Sequence, residues 1–184
     1  MKKQKIILIM LLIFMGLPSF SQYKNDDILE RTMKLDTLHV VTGDWFLWIP
    51  FGEFHSMQDF IKKIKPTKVE TRTFTDENSK TYYIQVKNSR INAYLSGTED
   101  SPFSNTVMLT SGEINDSINM QRNIHLGLSK KEVFDKLRIP ITDKELPKVN
   151  VLYLESGLQG IFMYFNFKDD RLYYIKIDSD CINK

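Results

Sequence analysis

Cysteine is almost missing from this chain: Cys181 is the only one in 184 residues. A single cysteine closes no internal disulfide, and nothing beside it supplies the cationic setting that activates a thiol, so it reads as a bystander near the C-terminus. Glycine is scarce, at eight residues. Neither a phosphate-cradling glycine loop nor a G-x-S-x-G elbow occurs. His39, His55 and His125 stand in no short metal-ligand spacing with Cys, Asp or Glu. His39 falls in an apolar strand and reads as packed or edge-facing; His55 reads as the neighbour of a helix cap. The acid pairs Asp26-Asp27 and Asp169-Asp170 are explained by a helix start and a hairpin. These absences predict a non-enzyme with no catalytic residue, no metal and no cofactor. A carboxylate pair or metal site assembled only in space stays open at this point.

Long apolar runs are absent too, with one exception. Ile6 to Met15 is an unbroken apolar stretch. Lys2, Lys3 and Lys5 precede it, Gly16 and Pro18 break it, and Ser19 and Ser21 place small residues at the −3 and −1 positions before Gln22. That order predicts a signal peptide over residues 1–21, cut near Ser21-Gln22. The run is too short to cross a bilayer, which takes about 20 residues. The expected product is periplasmic or secreted, has no transmembrane segment, and has no cysteine at the cut to carry a lipid. The signal also takes three lysines with it, leaving 22 basic against 23 acidic side chains. The formal net charge of +2 therefore belongs to export. What remains lacks the basic field that a nucleic-acid partner requires.

What the chain does have is repetition. Thr37–Trp45 parallels Thr106–Ile114 as a strand entering a glycine turn. Ser56-Met57-Gln58-Asp59 parallels Ser129-Lys130-Lys131-Glu132 as a serine cap with an acid three residues on. Leu128 and Val133 add a hydrophobic staple to the second copy. Met57, Phe60, Ile61 and Ile64, then Val133, Phe134 and Leu137, give helical spacing, and Pro66 and Pro140 stop the two helices. Ile84–Ile91 aligns with Phe165–Leu172: strand, polar two-residue turn, strand. The expected fold is α+β, with two tandem units, each a short helix on an antiparallel sheet of three to four strands. The units span residues 37–104 and 105–184, joined at Gly97–Asn105. Residues 22–36 precede them as a helical segment, apolar at Ile28, Leu29, Met33 and Leu35. One helix per unit cannot cover both faces of a sheet, so a face should be free or the two sheets should join.

Gly127-Leu128-Ser129-Lys130-Lys131-Glu132-Val133, then Pro140, then Phe165–Leu172 resembles the SmpA/OmlA-like module of small outer-membrane-assembly lipoproteins. In tandem that module gives the β-lactamase-inhibitor-protein-like fold. The likeness covers about 50 residues well in the second unit (a third of a typical domain) and the first unit loosely. The chain lacks the lipidated cysteine of the assembly lipoproteins and the disulfides typical of the inhibitors. The resemblance implies a tandem α+β protein that presents a sheet surface to another protein.

Two surfaces qualify as that contact. Trp45–Phe51 is the most apolar segment after residue 21 and reads as a strand buried on both faces, with Trp48 available to a partner. In the hairpins, Ile84, Val86, Phe165 and Phe167 should face the helices. Tyr83, Gln85, Tyr164 and Asn166 should then face outward, a tyrosine and an amide from each unit. The last strand has an ambiguous phase between Leu172/Tyr174 and Tyr173/Ile175/Ile177, which a bulge or two-sided burial would explain. Export, a free sheet face and the missing catalytic motifs together predict an exported protein-binding protein, an inhibitor or immunity protein against an envelope protein. The alternative is an envelope assembly or scaffold factor of the SmpA/OmlA-like type.

Overall fold

A computed structural model describes residues 28–73, 80–96, 105–116, 118–157 and 160–180. The expected signal peptide, nearly all of the Gly97–Asn105 junction and Cys181 lie outside these residues. Nine strands among them make a single sheet: β1 (Ile28–Lys34), β2 (Thr37–Thr42), β3 (Lys68–Thr73), β4 (Lys80–Val86), β5 (Ser89–Leu95), β6 (Val107–Ile114), β7 (Val151–Ser156), β8 (Ile161–Lys168) and β9 (Arg171–Ser179). The order across the sheet is β1-β2-β7-β8-β9-β6-β5-β4-β3. Only β2 and β7 run parallel. Two helices, α1 (Met57–Ile64) and α2 (Lys130–Leu137), pack on this mixed sheet, and the fold is α+β.

The helices form where capping and spacing direct them. Ser56 Oγ accepts from the Asp59 N–H (3.1 Å) and Lys65 closes α1 in the left-handed region. Ser129 and Glu132 form a reciprocal capping box, and Arg138 closes α2 at φ 57°. Leu128 and Val133 are both buried at the staple positions. Buried residues of both helices, among them Phe60, Ile64, Phe134 and Leu137, join one apolar cluster with Ile84, Ile91, Phe165 and Ile175 of the sheet. Both helices therefore cover the same face. Cross-strand partners set a dry row on that face: Ile84, Ile91, Gly112, Ile177, Met163, Leu154 and Val40.

The two helix–meander stretches use alike parts in opposite senses. The strands β3, β4 and β5 step inward from one edge, and β7, β8 and β9 step toward the same central strand, β6, from the other side. Both β5 and β9 are antiparallel to β6. With both helices on one face, no rotation superposes one stretch on the other. Their equivalence lies in caps, spacing and hairpin turns.

Three expectations need correction. The segment before residue 37 is not helical where it is described: Ile28–Lys34 is β1, joined to β2 by the Leu35-Asp36 turn. Its four apolar residues carry too little helical period to outweigh a ladder with β2. The Trp45–Phe51 run is no strand. Trp45–Leu47 is a 3-10 turn, with Asp44 Oδ1 accepting from the Phe46 N–H (2.9 Å). Phe46, Leu47 and Phe51 plug the core from it, so alternation says nothing about Trp48. Gly112 does not make a turn; it lies inside β6, opposite Ile91 and Ile177. A Cβ there would meet the Arg90 carbonyl oxygen at 3.3 Å, so glycine permits the close strand approach. The phase of β9 is set by a bulge at Asn166/Phe167: Leu172, Ile175 and Ile177 are buried and Tyr173 is 53 % exposed.

Candidate functional site: the uncovered sheet face

One residue along from the dry row runs a second row, on the face the helices leave bare. Its members are Thr32, His39, Tyr153, Tyr164, Lys176, Glu113, Arg90, Gln85 and Lys68, one from each strand. Alternation alone places them there, because successive side chains in a strand point to opposite faces. Beside them on the same face lie Glu155, Phe162, Asp178, Asn92, Tyr83 and Glu70.

The centre of this face is a stack. The Tyr153 and Tyr164 rings are 4.7 Å apart and 9° from parallel. His39 stacks on the far side of Tyr153 at 4.5 Å and 19°. The Lys176 ammonium sits 5.8 Å from the Tyr164 ring on the other side. Rings stacked face to face across strands turn their edges and polar tips toward solvent. Such a stack suits hydrogen bonding and edge contact better than the flat aromatic platform on which a sugar ring rests.

Glu155 organises one end. A carboxylate only accepts, so His39 Nε2 donates to Glu155 Oε2 (2.8 Å), and the Tyr153 hydroxyl donates to the same oxygen (3.4 Å). Burial raises the Tyr153 phenol above its ordinary range, and Tyr164 and Glu155 push the same way, so it stays a donor. At the other end the Lys176 ammonium donates to Asp178 (3.0 Å), which holds its pKa above the ordinary value. Glu113 lies directly opposite both Lys176 and Arg90. The row thus runs from an aromatic half on β2, β7 and β8 to a mostly charged half on β9, β6, β5, β4 and β3.

The sequence-predicted residues divide accordingly. Tyr83, Gln85, Tyr164 and Asn166 all lie on the bare face, half-buried or exposed. The two pairs are not neighbours: three strands, β9, β6 and β5, separate β8 from β4. Tyr164 belongs to the stack. Tyr83 carries the Arg72 guanidinium over its ring at 4.7 Å, near a shallow hollow lined by Lys68, Glu70, Gln85, Arg90 and Asn92. Asn166 donates to the Tyr164 carbonyl (3.2 Å), opposite Tyr174. Trp48 is not part of this face. It packs on the core from the 3-10 turn, and its Nε1 donates to Ser156 Oγ (3.1 Å). His39, Tyr153, Glu155 and Lys176 went unselected in the sequence. The alternation Val151-Leu152-Tyr153-Leu154-Glu155 would have marked two of them as outward.

A cavity of about 230 Å³ lies on the opposite side, between the 3-10 turn, the Gln121–Asn123 turn and the end of α2. Its acid is Asp44, which is already engaged: Oδ1 accepts from the Phe46 N–H and from Arg122 Nη2 (2.8 Å), and Oδ2 pairs with Nη1 (2.6 Å). An acid held on both oxygens fastens two turns together and is not poised for proton transfer. Among the described residues, no three His, Cys, Asp or Glu side chains gather where they could hold a metal ion. No described helix is long and apolar enough to cross a membrane.

Among the described residues the fold is a two-layer α+β arrangement, with one sheet face that neither helix covers. Comparison with protein-family models, with curated proteins and with solved structures finds no match.

Proposed function

We propose that this is an exported, non-catalytic protein that binds another protein through the bare face of its sheet, as an inhibitor or immunity protein acting on a partner in the cell envelope. The observation that carries the reading is the stack of His39, Tyr153, Tyr164 and Lys176 on a face left open by both helices. Tyrosines held by stacking lose little rotamer freedom on binding, and their hydroxyls give direction to the contact. The charged half on β5 and β6 supplies register and partner choice.

The likeness to the SmpA/OmlA-like module belongs to this proposal, as does the reading of two successive units. Supporting the unit reading are the serine caps, the left-handed C-caps at Lys65 and Arg138, and a three-stranded meander after each helix. Opposite senses across the sheet limit that equivalence to local parts.

The test is capture from envelope extract by chemical cross-linking to the chain lacking residues 1–21, followed by identification and direct titration of the captured protein. Tyr153→Ala with Tyr164→Ala should weaken binding at least about tenfold, as the loss of two interface tyrosines does. Trp48→Phe should leave it unchanged. Binding that survives the tyrosine pair overturns the reading. Capture of outer-membrane assembly components would favour a scaffold role on the same face.

A further inference from the structure

The bare face ends in two edges, and they are built differently. On β3 the charges are used within the molecule: Lys68 pairs with Glu70, and Arg72 lies over Tyr83. On β1 they are not. Among the described residues Glu30 meets the Thr32 hydroxyl, at 3.5 Å, and Lys34 is exposed beside the turn. Leu29 and Leu35, which are 64 % and 91 % exposed, are the most exposed large apolar side chains among the described residues, and both belong to this edge. Leu35 also holds φ at 56°, a conformation that leucine seldom adopts.

The ladder fixes which backbone groups of β1 are free. Lys34 and Thr37 flank a two-residue turn and so exchange hydrogen bonds, as do Thr32 and His39 one period on. The N–H and C=O groups of Arg31 and Met33 therefore point away from β2. We infer that β1 pairs antiparallel with β1 of a second copy about a two-fold axis at Thr32. Arg31 of each chain then exchanges backbone hydrogen bonds with Met33 of the other. In that register Glu30 stands opposite Lys34 twice, on the bare face. The match is self-complementary, as a two-fold contact requires. Threonine faces threonine on the axis, a favourable cross-strand pair.

The axis stands perpendicular to the sheet. It joins two nine-stranded sheets edge to edge and puts both bare faces on the same side. The inference goes beyond the proposed binding function, because it concerns the edge and holds whether or not the face has a partner. One strand pair buries little surface, so the dimer is weak and dependent on concentration.

Sedimentation equilibrium across the micromolar to sub-millimolar range tests it, using the chain without residues 1–21. The expected result is a reversible dimer. Glu30→Lys alone and Lys34→Glu alone should each weaken self-association by about tenfold or more. The two reversals in one chain should restore it, and an equimolar mixture of the two single variants should form a mixed dimer. Both positions are exposed, so unchanged thermal unfolding of the single variants confirms that they fold. A chain that stays monomeric throughout, or a dimer indifferent to both reversals, overturns the inference. A monomeric chain that still binds its partner through Tyr153 and Tyr164 would overturn the edge pairing and leave the proposed function standing.

Discussion

Two neighbouring rows of one sheet, a single residue apart along each strand, have opposite characters. The row Ile84, Ile91, Gly112, Ile177, Met163, Leu154 and Val40 is at most 2 % exposed at each of its six apolar side chains. The row Gln85, Arg90, Glu113, Lys176, Tyr164, Tyr153 and His39 has no fully buried member. The backbone supplies both rows equally, and alternation sorts the side chains. The two helices cover only the first row, and that decides which side chains carry stability and which remain available for recognition. Substitutions on each face separate the two roles.

Phe165 is fully buried and its ring lies 6.5 Å from that of Phe46. Phe165→Ala should cost about 3–5 kcal/mol in denaturant unfolding. Its sequence neighbour Tyr164 points to the other face, and Tyr164→Ala should cost no more than about 1.5 kcal/mol, the stacking contribution. Equal losses at the two positions would mean that the faces do not differ as described.

Gly112 and Glu113 make a subtler pair. Gly112→Val places side-chain atoms against the Arg90 carbonyl and Ile177, and should destabilise by about 1–3 kcal/mol through overpacking. Glu113→Ala, on the bare face, should change stability by about 0.5 kcal/mol or less. Thermal unfolding of both variants at matched pH checks this.

The smallest effect is a pH dependence outside both rows. Glu145 accepts from the Thr142 N–H (3.0 Å) and hydroxyl (2.8 Å) and pairs with Arg31 of β1 (3.1 Å), which lowers its pKa from 4.5 to about 2. A depressed carboxyl pKa adds stability that is complete above the unfolded value and fades as pH falls through the folded one. Part of the stability should therefore vanish between about pH 4.5 and 2, and Glu145→Gln should flatten that part of the profile. A wild-type-like profile in the variant would show that the loop cap does not hold.

Much of this division is legible in local sequence. Ser129 and Glu132 announced a capping box, and Ile84, Val86, Phe165 and Phe167 declared their side by alternation. Tyr83, Gln85, Tyr164 and Asn166 were placed on the bare face for the same reason. The failures have physical causes. An apolar run such as Trp45–Phe51 lacks a period, and one capping acid, Asp44, turned it into a plug and took Trp48 off the face. Only long-range pairing placed β2 beside β7 and brought His39 onto Tyr153, since nothing local in either segment encodes the other. The bulge at Asn92/Ala93 shifts phase without a sequence mark, whereas the one at Asn166/Phe167 shows as the mixed phase of Leu172–Ile177.

The central claim is that the stacked face, and not the helical one, meets a partner. A photo-cross-linking residue placed in turn at Tyr164 on the stack, at Tyr83 on the charged half and at Lys131 on the exposed side of α2 tests it most directly, with the captured protein added at a fixed concentration. The account predicts a strong adduct from position 164, a weaker one from position 83 and none from position 131. An adduct from position 131 with none from 164 would contradict it.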